Sequence, residues 1–187
     1  MDAIIGLEVL TSDAKLVGTV EGVGIDTDGW NVVALKLALK KGIEENAGVK
    51  KPLIGLARVA VEARNVDSVG DVIKLKRSLD KLREIVIDPS LVPRSAGDII
   101  GKRVICAKGK EVGVTGSLFI DPDGGWRIPY FELEGDKEAF RRMNLKKGMF
   151  KGREVKVPTS LVATVGDLIM LNSTEEELAR VLQHAPK

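Results

Sequence analysis

Few residues in this chain are of the types that carry out covalent or metal chemistry. His184 is the only histidine and lies near a polar C-terminal end, and Cys106 is the only cysteine. Zinc sites require several such ligands at short spacing, and nucleophilic catalysis requires a base beside the nucleophile. Cys106 lies in the apolar run 104–107, which favours a small buried side chain over a nucleophile. We therefore predict a protein that is not an enzyme, with no metal site and no cofactor.

Two short acidic segments have a spacing that superficially matches a calcium-binding loop. They are residues 26–29, Asp-Thr-Asp-Gly, and residues 121–124, Asp-Pro-Asp-Gly. Neither is followed by the bidentate glutamate of such a loop, whereas both have the composition of a tight turn in which glycine accepts a positive φ. Gly22 and Gly24 precede a turn and not a helix, so they do not form a phosphate-binding loop.

Aromatic residues make up only 4% of the chain, and two of them recur at equivalent places. Trp30 and Trp126 each follow one of the acidic turns, where we favour a role in bracing a hairpin. The alternative is a partner-binding anchor, because tryptophan is enriched at interface hot spots. Tyr130 and Phe131 are candidate partner contacts that belong to the second half of the chain only, since Ala34 and Leu35 stand at the matching places.

A basic stretch in the second half is the candidate nucleic-acid surface. A solvated loop is the simpler interpretation, because the net charge is only +2 and acidic residues flank the stretch. Contact with RNA phosphates or an acidic partner is the alternative. The basic residues are Arg141, Arg142, Lys146, Lys147, Lys151, Arg153 and Lys156, and only Glu154 opposes them.

The two halves of the chain are copies of one pattern. Residues 4–6, Ile-Ile-Gly, recur as residues 99–101, an offset of 95. After one extra glycine in the second acidic turn the offset becomes 96, at which residues 69–75 match residues 165–171. Two copies are too few for a solenoid, so the repeat predicts two domains.

The predicted domains are residues 1–88 and 96–187, joined by a linker at 89–95 that contains two prolines. The segment 91–95, Leu-Val-Pro-Arg-Ser, also looks like a protease-cleavage linker of the kind introduced by protein engineering. A natural linker is the interpretation that we slightly prefer.

Each copy is predicted to be mainly β. Glycines 18, 22 and 24 interrupt an apolar run and indicate the bends of a curved sheet. Five or six short curved strands avoid bare edges by closing into a small barrel. Each copy is then expected to end in a short helix, which Ser78 begins in the first copy and Ser173, in a capping box with Glu176, begins in the second. A second short helix is expected within 137–143.

These features together resemble the PRC-barrel family over nearly the whole chain. The residues that carry the likeness are Ile-Ile-Gly near the start of each copy, Gly18 or Gly113, the acidic turn, and a final Val-Pro…Val-Gly-Asp signature. The signature is clearest from Val157 to Leu171, and the first copy departs from it because Glu62 stands where Pro158 stands.

The resemblance implies a non-catalytic adaptor that docks other proteins. The Val-Gly-Asp segments look most like archaeal members, among which are PRC-barrel proteins of the FtsZ-based cell-division apparatus. These pair with one another and contact SepF, a membrane-anchored adaptor. A cytoplasmic tandem protein would then reach the division site and the membrane only through partners, and could form a homo-oligomer.

The alternative within the family is a ribosome-maturation or ribosome-associated factor of the RimM type, which binds a ribosomal protein or RNA. The basic stretch would serve that role. The separate N-terminal barrel that such factors carry is not visible in this sequence, so we favour the adaptor.

Overall fold

The computed structural model describes residues 4–145 and 154–184. The described part is mainly β-structure, with two short α-helices and several 3-10 turns. The chain divides into two compact units. The first contains the residues up to Gly97 together with Pro122–Arg127, and the second contains Asp98–Asp121 and the residues from Ile128 onwards.

Seven strands form the first unit, in which hydrogen bonds join them in the order β5-β6-β1-β2-β3-β4-β7. They are β1 (Glu8–Leu10), β2 (Leu16–Asp26), β3 (Asn31–Leu39), β4 (Arg58–Glu62), β5 (Val66–Val69), β6 (Val72–Leu75) and β7 (Val86–Ile87). β1 and β6 run parallel, whereas the other neighbours are antiparallel. The predicted hairpin is confirmed, because Asp26 faces Asn31 across the turn between β2 and β3.

Among the described residues of the second unit, six strands are joined in the order β12-β13-β8-β9-β10-β11. They are β8 (Arg103–Ile105), β9 (Glu111–Asp121), β10 (Arg127–Gly135), β11 (Glu154–Pro158), β12 (Val162–Val165) and β13 (Ile169–Leu171). Helix α1 (Lys137–Arg142) follows β10 and confirms the short helix predicted there, and helix α2 (Glu175–His184) follows β13. β8 and β13 run parallel, as β1 and β6 do.

The expected closed barrels are not present in the described residues. The hydrogen-bonded ladder of the first unit has two ends, at β5 and β7, and that of the second has ends at β12 and β11. The reason in the first unit lies at the 3-10 turn Ala63–Asn65, where the chain leaves β4 and enters β5 without ladder hydrogen bonds between them. Side chains of a curved, open sheet therefore enclose the core.

Aliphatic residues that alternate along the strands supply most of the core. In the first unit Ile25, Leu35, Leu37 and Ile73 are fully buried, and Leu82 packs into the same unit from outside the strands. Burial of each such side chain contributes about 1.5–3 kcal/mol relative to its exposure. The small content of aromatic residues is thus compatible with a stable core.

The helix predicted after the first copy is wrong in kind. Residues Leu79–Glu84 form a 3-10 helix. The Ser78 side chain does not cap it, because it accepts no hydrogen bond from a backbone amide of the helix. Instead the carboxylate of Asp13 accepts a hydrogen bond from the amide of Leu79, at 3.0 Å. The helix ends because the β-branched pair of β7 pairs with β4 and continues the sheet.

The helix predicted after the second copy is present as α2, but its cap is shifted by one residue. Thr174 Oγ1 accepts a hydrogen bond from the amide of Glu177, and the Glu177 carboxylate accepts one from the amide of Thr174, at 3.3 and 2.8 Å. The capping box is therefore Thr174–Glu177 and not Ser173–Glu176. Ser173 is buried and lies just before it.

The acidic turn of the first unit has the predicted chemistry but a different backbone. Asp26 accepts hydrogen bonds from the amides of Asp28 and Gly29, at 3.0 and 3.1 Å. The residue with positive φ is Trp30, at 51°, and not Gly29. The Asp26 side chain holds the first part of the turn, so the reversal of the chain falls one residue later than expected.

The segment predicted to be a linker, residues 89–95, packs on the first unit. Val92 is buried with Ala34 and Ala60, in contact with Val33 and Ile87. The amide of Ile25 donates a hydrogen bond to the carbonyl of Arg94 at 2.9 Å. These contacts attach the segment to the sheet of the first unit.

Candidate interaction surfaces

The candidate nucleophile Cys106 is buried, and the acidic side chains of the described residues form no metal site. Among the described residues there is no group of three or more His, Cys, Asp or Glu side chains that could hold a metal ion. The Cys106 thiol is fully buried, and burial, with lesser effects of Glu175 and Glu176, raises its pKa to about 11. A thiol of this kind is protonated at neutral pH and is a weak nucleophile.

The two tryptophans lie at their turns with left-handed backbones. Trp30 has a φ of 51° and is 7% exposed, so its side chain braces the hairpin and leaves little surface for a partner. Trp126 has a φ of 63° and is half-buried. A left-handed conformation costs a bulky residue roughly 1–2 kcal/mol, which the packing of these side chains must offset.

Tyr130 and Phe131 point to opposite faces of β10, as neighbours on a strand do. Phe131 is fully buried and belongs to the core of the second unit. Tyr130 is half-buried and lies opposite Pro158 of β11. Of this predicted pair, only Tyr130 has a side chain that is accessible at the surface.

The basic stretch is only partly available as a surface. The Arg142 guanidinium donates hydrogen bonds to the Glu175 carboxylate at 2.7 and 2.9 Å and to the Glu111 carbonyl at 2.9 Å, so it clamps α1 to α2 and β9. Arg141 is exposed and 3.8 Å from Glu138. Lys156 is exposed. The remaining predicted residues, Lys146, Lys147, Lys151 and Arg153, lie outside the described residues.

A shallow groove of about 260 Å³ lies in the first unit. Val49, Val59, Val86 and Ile87 are among its lining residues, together with the side chain of Arg58. The Arg58 guanidinium donates to the Glu21 carboxylate at 2.6 Å, which raises the pKa of Arg58 further above its ordinary range. The groove thus combines aliphatic walls with the charged residues Arg58, Arg83 and Asp88.

The most exposed apolar side chains of the described residues lie on the connection between β3 and β4. Leu53 and Ile54 are 103% and 93% exposed, and Leu56 is 41% exposed. We call residues 52–56 the apolar loop. The exposed Lys50 and Lys51 precede it, and no acidic residue occurs between Glu45 and Glu62. Large aliphatic side chains with no contact to their own chain are characteristic of a binding surface.

The sequence patterns described above did not single out this loop. A signal was nevertheless present. Leu53 and Ile54 stand between Pro52 and Gly55, two residues that interrupt strands and helices. An apolar pair between such residues cannot join a regular element, so it either folds back on the core or projects from it.

Within the described residues no helix is long and apolar enough to cross a membrane.

No curated protein matches the sequence. Among solved structures, a protein described as the 16S ribosomal RNA processing protein RimM of Pseudomonas aeruginosa is similar at 15% identity, covering 83% of this chain and 96% of its own, with a TM-score of 0.29. That TM-score is too low to carry an argument. A family model described as the PRC-barrel domain matches residues 2–82. The chain therefore contains a PRC-barrel domain, which spans residues 2–82.

Proposed function

We propose that this protein is a non-catalytic adaptor that docks a protein partner through the apolar loop. The observation that carries the proposal is the nearly complete exposure of Leu53 and Ile54. The adjoining Lys50 and Lys51 suit a partner that has an apolar cleft with an acidic rim. Such a cleft would bury the side chains of Leu53 and Ile54, which are exposed to water in the unbound protein.

A protein cleft is favoured over a lipid surface by the amount of apolar surface available. Leu53 and Ile54 offer about eight side-chain carbons, fewer than a single myristoyl chain, which by itself gives only marginal membrane binding. The two lysines add about 1 kcal/mol each at an anionic membrane. A preformed cleft can enclose the same side chains fully and orient them, which makes better use of so small a surface.

We further propose that the second unit is another copy of the same domain. Its support is the recurrence of the elements at the offsets of the sequence repeat. β1 and β2 correspond to β8 and β9 at an offset of 95, and β3 and β4 correspond to β10 and β11 at 96. Even the irregularity between Val9 and Leu10 recurs between Val104 and Ile105.

The partner that we propose is a SepF-type adaptor or another PRC-barrel protein of the archaeal division apparatus. This choice rests on the likeness of the two Val-Gly-Asp segments to archaeal members of the family. The protein would act as a cytoplasmic component that is recruited to the division site by such a partner.

The test measures binding of the purified protein to the SepF-type protein and the other PRC-barrel proteins of the same organism. We expect the double variant Leu53→Ser/Ile54→Ser to bind at least about 10-fold more weakly. Leu91→Ser is the matched control, because Leu91 is also exposed, at 71%, but lies outside the loop. Equal binding by the double variant and the wild type would reject the proposal, as would binding to anionic vesicles with the same sensitivity to the double substitution.

The ribosome-associated alternative is supported by the exposed Arg141 and Lys156 and weakened by the engagement of Arg142 with Glu175. It predicts binding to ribosomal particles or RNA that is lost at high salt, because phosphate contacts release counterions. Arg141→Glu and Lys156→Glu would then reduce binding, while the apolar-loop variant would not.

A further inference from the structure

The outer face of the first unit is covered by an extended stretch of its own chain. We call residues 86–95 the covering segment. Its first residues, β7, pair with β4, so that Ile87 lies opposite Ala60 and Val86 opposite Val61. Farther along, Val92 lies against Gly24, where it occupies the space that a Cβ atom would need.

Small residues on the sheet make this covering possible. Gly24 and Ala34 face each other across β2 and β3, and Ala60 lies beside them on β4. Together they leave a shallow surface that accepts Val92 and Ile87. The covering segment thus both adds a strand at the edge of β4 and packs its side chains on the adjacent face.

In the second unit helix α2 contacts β11, but among the described residues no strand pairs with the outer edge of β11, and the matching positions carry different side chains. β11, the counterpart of β4, pairs with β10 alone. In place of the small residues stand larger ones, at the offsets of the repeat, namely Phe119 for Gly24, Tyr130 for Ala34 and Lys156 for Ala60.

These side chains form one surface beside the edge of β11 that no strand of the described residues pairs with. Lys156 Nζ lies 4.8 Å from the centre of the Phe119 ring, so both side chains are on the same face. Tyr130 lies opposite Pro158, two residues along from Lys156 and hence on that face too. Phe119 and Tyr130 are half-buried and Lys156 is exposed. Val155 and Val157 point to the other side, into the core.

We infer that the edge of β11 binds an extended peptide segment of a partner protein, which adds to the sheet as a strand and packs on Phe119 and Tyr130. The occupant is identified by what pairs with the equivalent edge of the first unit, the short strand of the aliphatic residues Val86 and Ile87. Lys156 adds a preference for an acidic residue in the peptide. Main-chain hydrogen bonds would supply affinity and the aromatic face selectivity.

A second copy of the chain does not supply this peptide. The covering segment of each copy is bonded to its own first unit, through β7 and through the hydrogen bond from the Ile25 amide to the Arg94 carbonyl. Lys156 and the proline at the end of β11 also limit unselective pairing of the edge with other sheets. The site goes beyond the proposed function, since it uses none of the residues of the apolar loop.

The experiment selects binders for the full-length protein from a displayed library of peptides of about a dozen residues, and measures their affinities by fluorescence anisotropy. We expect selected peptides with alternating aliphatic residues and micromolar affinity. The double variant Phe119→Ser/Tyr130→Ser should weaken binding at least about 10-fold. Leu53→Ser/Ile54→Ser is the control and should leave it unchanged, which separates this proposal from that of the apolar loop.

Strand addition has a signature that simple apolar contact lacks. N-methylation of successive peptide amides should abolish binding at every second position only, because alternate amides of an added strand face the edge of the sheet. Hydrogen exchange should slow at those alternate amides of β11 that point away from β10 when the peptide binds. The inference fails if no peptide is selected, if the Phe119/Tyr130 variant binds as well as the wild type, or if N-methylation has no alternating effect.

Discussion

At the scale of single residues, two glycines decide how closely the longest strands approach their neighbours. A Cβ atom on Gly18 would overlap the carbonyl oxygen of Ala38, and one on Gly113 would overlap that of Glu134. The neighbouring atoms are backbone, which cannot turn aside as a flexible side chain can. Both positions therefore exclude a side chain by overlap with the backbone, and at Gly113 a φ of 150° adds to the strain.

Alanine at either position should destabilise the protein by about 1–3 kcal/mol, the cost of forcing extra volume into a packed site. Gly18→Ala and Gly113→Ala would be compared by urea unfolding. Gly70→Ala and Gly166→Ala are the matched controls, because a Cβ atom at those glycines meets nothing within 4 Å. The controls should stay within about 0.5 kcal/mol of the wild type, and the steric explanation fails if all four variants behave alike.

A second prediction for a single residue concerns Cys106, because burial raises the pKa of its thiol from 9.0 to about 11. The folded state then holds its proton more tightly than the unfolded state. The resulting stabilisation is complete below about pH 9 and is lost as the pH rises through 11.

The free energy of unfolding of the wild type should therefore fall relative to that of Cys106→Ala as the pH rises from about 9 to 11. The full change is about 3 kcal/mol for a pKa difference of this size. Below pH 9 the difference between the two proteins should be constant. Denaturant unfolding at a series of pH values measures it, and a constant difference up to pH 11 would show that the thiol is accessible to water.

At the scale of elements, the covering segment shows how tertiary packing changes the character of a stretch of chain. Its prolines and its position between the repeats predict a linker, yet Val92 is 8% exposed and packed on small residues of β2, β3 and β4. The side chain of Leu91, one residue earlier, is 71% exposed. Residue type alone does not distinguish these two neighbours, whereas the available surface of the sheet does.

Val92→Ser should release the segment and raise the rate of cleavage after Arg94 by a trypsin-like protease about 10-fold. Proteolysis at such a site follows the population of the locally opened form. Leu91→Ser should leave the rate unchanged. Mass spectrometry of the first fragments identifies the cleavage site, and the loss of intact protein with time gives the rate. Rapid cleavage of the wild type at Arg94 would contradict the packing described for this segment.

At the scale of the whole molecule, the two units resemble each other in their elements and differ in their surfaces. The connection between β3 and β4 forms the apolar loop in the first unit, whereas the residues after β10 form α1 in the second. The outer face is covered in the first unit, while its counterpart in the second presents Phe119 and Tyr130. Different surfaces on the two units would let the proposed adaptor bind two different partners.

The two proposed sites share no residues, and their effects on binding should therefore be additive. With a selected peptide at saturating concentration, the affinity of the loop for its partner should change by no more than about twofold. The affinity of the partner for the protein is measured with and without the peptide. A loss of partner binding on addition of the peptide would mean that the two sites are not independent.

The sequence by itself determined the repeat, the strand pattern and the resemblance to the PRC-barrel family. These features depend on local signals, namely the alternation of β-branched residues, the Asp-Gly turns and the glycines at close strand contacts. The hairpin of β2 and β3, helix α1 and the domain at residues 2–82 agree with those signals.

Only the tertiary structure decided which edges stay open and which side chains remain in water. The helix predicted from Ser78 became a 3-10 turn because pairing with β4 stabilises Val86 and Ile87 as a strand. The fates of Leu53 and Val92, one exposed and one buried, depend on contacts with residues distant in sequence. Local patterns report the preferences of a segment, but burial depends on the surface that the rest of the chain places beside it.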